Sequence, residues 1–265
     1  MLRGFSLVEL SIVLVILGLL TGGILAGQSL IRAAELRSVA SDFQRYATAV
    51  RTFQDKYLAL PGDMTNATKF WGIAGGTTGN DTACYNIAST DKKTCNGNGN
   101  GRLSLEDNVT DESAPEWYRA WQHLANAGLV EGTYTGKYDG TRRRATPGKN
   151  IPPGRISNTG FTLMSFDPTV DLVSVGGEWW PGRYDGFSFG TPSANTETSS
   201  PTLKPEEAWS IDTKLDDGKP SYGTVRSLAL PSCLAGGSDP SAASYALATT
   251  TVSCSLFLAI NNPGN

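Results

Sequence analysis

Residues 5–27, FSLVELSIVLVILGLLTGGILAG, form an apolar run that carries a single charge, Glu9. A helix needs roughly 20 such residues to cross a hydrocarbon core. The segment must therefore sit in lipid or against apolar partners rather than form the surface of a soluble domain. A secretory signal has a basic n-region, then an apolar stretch, then a small-residue cleavage site. Here Met1, Leu2, Arg3 and Gly4 precede the run directly, so a cut after Gly4 would leave the hydrophobic segment on the mature chain. A carboxylate among lipid tails costs about 3 kcal/mol, so Glu9 needs a partner or a function. The plainer reading is a membrane anchor whose Glu9 snorkels toward the headgroups.

Past the run the pattern becomes that of an amphipathic helix. Leu36, Val39, Ala40, Phe43, Ala47, Val50 and Phe53 recur at three- and four-residue intervals, with Arg37, Asp42, Arg45, Arg51 and Asp55 between them. No proline interrupts residues 5–60, so one helix of about 80 Å is expected before Pro61-Gly62 ends it. Its first half would cross the membrane and its second would lay an apolar stripe on a globular sheet. Arg3 on one side of the run and Arg32 and Arg37 on the other leave its orientation open by charge alone.

The remaining residues, 61–265, suffice for one domain with its own core. Thirty Gly and fourteen Pro across the chain describe a turn-rich body of strands and loops rather than a helical bundle. A net charge of -3 gives no global positive field toward nucleic acid. Four cysteines, Cys84, Cys95, Cys233 and Cys254, lack the spacing of a zinc knuckle, and the chain has one histidine. Disulfides are the expected chemistry, which places the body in an oxidising compartment. Three connectivities remain open, of which the sequential one closes the shortest loops.

Helices are expected at 115–127, where Ser113 and Glu116 have capping-box spacing and Gly128 can stop the helix, and at 205–215. In the first, Trp117, Trp121 and Leu124 share a face. Strands are expected at 160–166, 171–175, 223–230 and 253–260. The fold class is α+β, a long N-terminal helix on a small antiparallel sheet with disulfide-tied loops.

The stretch Gly4-Phe5-Ser6-Leu7-Val8-Glu9-Leu10 resembles the cleavage and methylation motif of type IV prepilins, shared with pseudopilins of type II secretion systems. The resemblance implies a leader of residues 1–4, a transmembrane half-helix 5–27, an amphipathic half-helix 28–60 and a pilin-like body 61–265. It further implies that a prepilin peptidase cuts between Gly4 and Phe5 and methylates the Phe5 amine, with the leader on the cytoplasmic side. Glu9 then stands at the fifth mature position and guides assembly. Implied partners are that peptidase, other pilin or pseudopilin subunits and an inner-membrane assembly platform. The implied location is the bacterial inner membrane with a periplasmic body, and a filament or the cell surface after assembly. The disulfide near the C-terminus would pin the last loop to the sheet, as in many type IV pilins. Ala26 stands where many major pilins have a kinking proline, and Gly18, Gly22, Gly23 and Gly27 are expected to loosen the helix instead. The size of the body points to a minor pilin or pseudopilin, a structural subunit and not an enzyme, with no cofactor required. The second reading is a membrane-anchored binding module for a surface, DNA or cargo.

A physical role for Glu9 follows from the cut. The new Phe5 amine lies about 6 Å away along its own helix, whereas a subunit displaced along a helical assembly can bring its amine against the carboxylate. At 4 Å such a pair is worth about 4 kcal/mol at an effective dielectric near 20, before desolvation.

Other motifs are less specific. Asn96, Asn98, Asn100 and Asp107 imitate the alternating oxygen ligands of a Ca2+ loop, but neutral Asn stands where acids are usual, and a Gly/Asn-rich turn is the plainer reading. The run from Ile211 to Gly218 holds Asp212, Asp216 and Asp217 and resembles a segment recurring in large pilin-like proteins. The last two lie at the helix end disfavoured for negative charge; a cation or a buried Arg would compensate, and a solvated turn is the default. Arg142, Arg143, Arg144 and Lys149 form a basic loop, and Trp179-Trp180 a sugar-platform or packing pair. Both are ordinarily structural, and nucleic acid is not the expected partner. His123 has no nucleophile motif around it.

Overall fold

The computed structural model describes residues 6–80, 82–103, 116–140, 144–166, 183–193, 197–228, 232–236 and 242–261. The expected strand at 171–175, Ser113, Asp107, Arg142, Arg143 and the Trp179-Trp180 pair lie outside them.

Helix α1 runs unbroken over Leu7–Tyr57, about 77 Å at 1.5 Å per residue. Ser6 opens it with a capping box. Its hydroxyl accepts the N–H of Val8 at 3.3 Å, and the Glu9 carboxylate accepts the N–H of Ser6 at 2.8 Å. Leu58 closes the helix in the left-handed region at φ 53°, just before Pro61. The two halves of α1 differ sharply. Residues 6–26 are exposed throughout, and burial starts at Val39 and continues through Ala40, Phe43, Tyr46, Ala47, Val50 and Phe53. That is the stripe read from the sequence, with Tyr46 added at its centre.

Four strands form one antiparallel sheet against this stripe. They are β1 (Gly160–Phe166), β2 (Tyr184–Gly190), β3 (Val225–Ser227) and, last in the chain, β6 (Leu256–Ala259), ordered β1-β2-β6-β3. Between β3 and β6 the chain makes a two-stranded ladder of β4 (Leu234–Ala235) and β5 (Ser244–Tyr245). The short helices α2 (Ala67–Trp71) and α3 (Thr82–Tyr85) precede α4 (Glu116–Asn126), and α5 (Pro205–Leu215) lies between β2 and β3. The Tyr46 ring joins the layers, with the Trp121 ring of α4 at 4.9 Å and those of Phe161 and Phe187 from the sheet at 5.3 and 6.1 Å. Such edge contacts contribute about 1 kcal/mol each beyond area burial.

Strand β2 was not among the strands expected from the sequence, and it contains Gly186 and Gly190. Both mark close approaches. A Cβ on Gly186 would stand 2.4 Å from the Leu258 carbonyl oxygen, and one on Gly190 would stand 2.5 Å from that of Ser200. The expected strands 223–230 and 253–260 shorten to Val225–Ser227 and Leu256–Ala259. α4 ends with Gly128 at φ 73°, as its position suggested.

The disulfides are sequential, Cys84–Cys95 and Cys233–Cys254. For loops of this size each adds about 3 kcal/mol in a chain-entropy account. The first ties α3 to the segment that enters α4. The second holds the residue before β4 to the segment entering β6, where Cys254 and Leu203 pair backbones.

Candidate membrane and assembly surface

The apolar half of α1 is the one helix among the described residues long and apolar enough to cross a membrane, and none of that apolar window is buried against the body. Its polar side chains are nearly self-sufficient. Ser11 donates to the Val8 carbonyl at 2.9 Å and Thr21 to that of Leu17 at 2.9 Å. Such back-bonding removes the cost of a hydroxyl in lipid. Glu9 differs, because among the described residues its one hydrogen bond is the capping contact with Ser6, and a carboxylate has acceptor capacity for about four. Gly4 and Phe5 lie outside the described residues. A Cβ on Gly18, Gly22, Gly23 or Gly27 would meet nothing within 4 Å, so no contact among the described residues requires these glycines.

Where α1 leaves the apolar run, a contact that the sequence did not disclose ties it to the body. The Arg32 guanidinium grips Glu207 of α5 with two bonds, Nε to Oε1 at 2.6 Å and a terminal nitrogen to Oε2 at 2.7 Å. It also donates to the Thr202 carbonyl at 3.3 Å and pairs with Glu35 at 3.1 Å. Burial pushes the Glu207 carboxyl up, but the Arg32 bonds and the Lys204 N–H outweigh it and hold it below the usual range. Residues 175 apart in sequence leave no periodic signal.

The Gly/Asn loop encloses an anion. The buried Asp63 carboxylate accepts the N–H groups of Gly99, Asn100 and Gly101 at 2.6, 3.1 and 2.9 Å. Successive amides turned inward form a nest for negative charge. Asn96 Oδ1 accepts the Thr68 N–H at 2.9 Å, Asn98 Oδ1 that of Asn100 at 2.9 Å, and Asn100 Oδ1 that of Arg102 at 2.8 Å. Asn98 and Asn100 close local turns, whereas Asn96 holds the first turn of α2, 28 residues away in sequence.

One carboxylate oxygen from each of Asp212, Asp216 and Asp217 lies within 4.8 Å of the others, the described acidic group best placed to hold a cation. A solvated turn does not describe it fully, since Asp212 is buried. Asp212 accepts the Gly218 N–H at 3.0 Å and the Tyr245 hydroxyl at 2.8 Å. Asp216 accepts the N–H groups of Thr224 and Val225, and Asp217 that of Lys219. Burial pushes Asp212 up to about 7.

His123 is fully buried on α4. Its Nδ1 accepts the Gly62 N–H at 3.0 Å, which puts the proton on Nε2 facing Thr94 Oγ1 and the Cys95 carbonyl. Burial pushes it down to about 3. Both nitrogens are engaged in holding the α1–α4 corner. In the basic loop, Lys149 pairs with Asp139, and Lys137 donates to the Asn86 carbonyl at 2.7 Å.

No family model, curated protein or solved structure matches the chain.

Proposed function

We propose that the chain is a prepilin-type structural subunit, a minor pilin or pseudopilin of a type IV pilus or type II secretion-type filament. In this reading the prepilin peptidase removes residues 1–4 and methylates Phe5, residues 5–27 hold the subunit in the bacterial inner membrane, and the body faces the periplasm. Assembly then draws the apolar half-helix into a filament core, where Glu9 selects the register by meeting the Phe5 amine of a neighbouring subunit. The observation that carries the reading is the state of α1. One helix has an apolar half with no partner among the described residues, a single charge in that half, and a second half built into a sheet-backed core. Glu9 has acceptor capacity beyond its capping bond, and an incoming amine supplies the complement.

The test is mass spectrometry of the N-terminal peptide from the native membrane. A peptide beginning at Phe5 with one added methyl group is the expected result. An intact Met1, or a cut beyond Leu20, would leave a plain anchor or an ordinary signal and remove the assembly reading.

A further inference from the structure

We propose that Asn98 and Asn100 are sites of self-catalysed deamidation, in which the Asp63 carboxylate takes the proton of the Gly99 or Gly101 amide as that nitrogen closes on the preceding side-chain amide. The site lies in the body and does not depend on how residues 5–27 are used.

Three Asn-Gly pairs stand in a row, Asn96-Gly97, Asn98-Gly99 and Asn100-Gly101. In such a pair the glycine nitrogen can attack the asparagine Cγ, because glycine brings no Cβ to obstruct the approach. Only rotations about Cα–Cβ and Cα–C separate the reacting atoms from a five-membered ring. The amide nitrogen is a poor nucleophile while it keeps its proton. A base at the N–H and a side chain already folded over the peptide therefore govern the rate.

The three pairs differ on both counts. Asn98 Oδ1 accepts the Asn100 N–H at 2.9 Å, two residues on, so Cγ is folded back over the Asn98–Gly99 peptide. The Gly99 N–H points to Asp63 Oδ1 at 2.6 Å and to the Asp63 carbonyl at 3.1 Å. At Asn100 the arrangement repeats. Its Oδ1 accepts the Arg102 N–H at 2.8 Å, and the Gly101 N–H donates to Asp63 Oδ2 at 2.9 Å. One carboxylate thus faces both nitrogens with separate oxygens. Both asparagines are exposed, so water can reach the ring and ammonia can leave. Asn96 meets none of these conditions. It is buried, its Oδ1 is drawn to the Thr68 N–H at 2.9 Å and its Nδ2 donates to Asn80 at 2.7 Å. The Gly97 N–H donates to the Met64 carbonyl at 2.8 Å, which is no base.

In the reaction the glycine nitrogen passes its proton to Asp63 and forms a bond to Cγ. The Cγ–Nδ2 bond breaks, the proton goes from Asp63 to Nδ2, and ammonia leaves behind a succinimide. Water then opens either carbonyl of the ring, giving aspartate or isoaspartate and leaving Asp63 as it began. Nothing is oxidised or reduced. The product sets a second carboxylate beside Asp63, and like charges so close repel. Isoaspartate also adds a backbone atom to the loop, so each event loosens the nest.

The full chain is held folded in detergent at neutral pH with its disulfides intact, and in parallel unfolded and reduced in urea. After reduction, trypsin releases all three pairs in one peptide, Thr94–Arg102, whose fragment masses locate each acid. In urea the three sites should react at similar rates. In the folded chain Asn98 and Asn100 should react at least as fast as in urea, and Asn96 slower than either by about tenfold or more. Asp63→Asn, which keeps the shape but is no base, should slow Asn98 and Asn100 by about tenfold or more in the folded chain. Slowing of all three sites on folding would overturn the proposal, since the bonds to Asp63 would then protect the amides. So would a folded Asp63→Asn chain that reacts as wild type does. A variant that fails to fold would show Asn96 reacting as fast as its neighbours, and the wild-type comparison of folded with unfolded chain then decides alone.

Discussion

Asp212 and His123 are both held neutral by burial, and their pH dependences oppose each other. Asp212 rises from 3.8 to about 7 in the fold, so the native state binds a proton that the unfolded chain releases. Its stabilisation is present below 3.8 and is lost as pH rises through about 7. His123 falls from 6.5 to about 3, so its contribution is lost as pH drops through that interval. Asp216, Asp217 and the Tyr245 hydroxyl face Asp212, and Arg119 is the charge beside His123. Each limb, fully developed, changes stability by about 1.4 kcal/mol per pH unit. In wild type the limbs offset one another between roughly pH 4 and 6.5. Asp212→Asn removes one of them, and the variant should gain about 1–2 kcal/mol on going from pH 4.5 to 6.5 while wild type changes little. Asp63, also raised by burial, acts in the same direction as Asp212 in both chains. Thermal melts of the two chains at both pH values decide it, and a variant as flat as wild type would refute the paired account.

Among the elements, those governed by periodicity were legible. The α1 stripe, the Trp117–Trp121–Leu124 face of α4, the proline-started α5 and strand β1 all stand where apolar spacing and end signals put them. β2 was not, because glycine in a strand that another backbone approaches looks the same in sequence as glycine in a turn. The segment after α1 was illegible for a different reason. It is shaped by the Asp63 nest, the His123–Gly62 bond and the Cys84–Cys95 bridge, none of which has a period. The glycines themselves separate the two cases. Gly186→Val drives side-chain atoms into the Leu258 carbonyl and the Phe257 ring, and should cost about 3 kcal/mol in a urea titration. Gly22→Val, whose Cβ meets nothing within 4 Å, should leave the body's midpoint within about 0.5 kcal/mol of wild type. Equal shifts for the two would mean that the contacts drawn for β2 are not those of the folded chain.

The molecule as a whole divides its tasks along one helix, so folding and assembly should be separable by mutation. Every buried residue of α1 lies at or beyond Val39, and Glu9 lies 30 positions earlier on the exposed half. Among the described residues the one hydrogen bond Glu9 makes is the capping bond to Ser6, worth about 1 kcal/mol to the end of a helix and remote from the core. Glu9→Ala should therefore melt like wild type in the body. In the membrane it removes the only charge of the apolar run, which makes insertion easier by about 3 kcal/mol, so the variant should remain anchored at normal levels. What it loses is the carboxylate that a neighbouring amine would meet. A pair worth several kcal/mol before desolvation corresponds to a loss of tenfold or more in subunit incorporation. The comparison is the fraction of subunit in sheared filaments against the fraction left in membranes, with Glu9→Asp beside Glu9→Ala. The shorter acid keeps the charge but draws it back by one methylene, so partial recovery is expected. If Glu9→Ala entered filaments as wild type does, the carboxylate would have no part in docking and the plain anchor would explain residues 5–27.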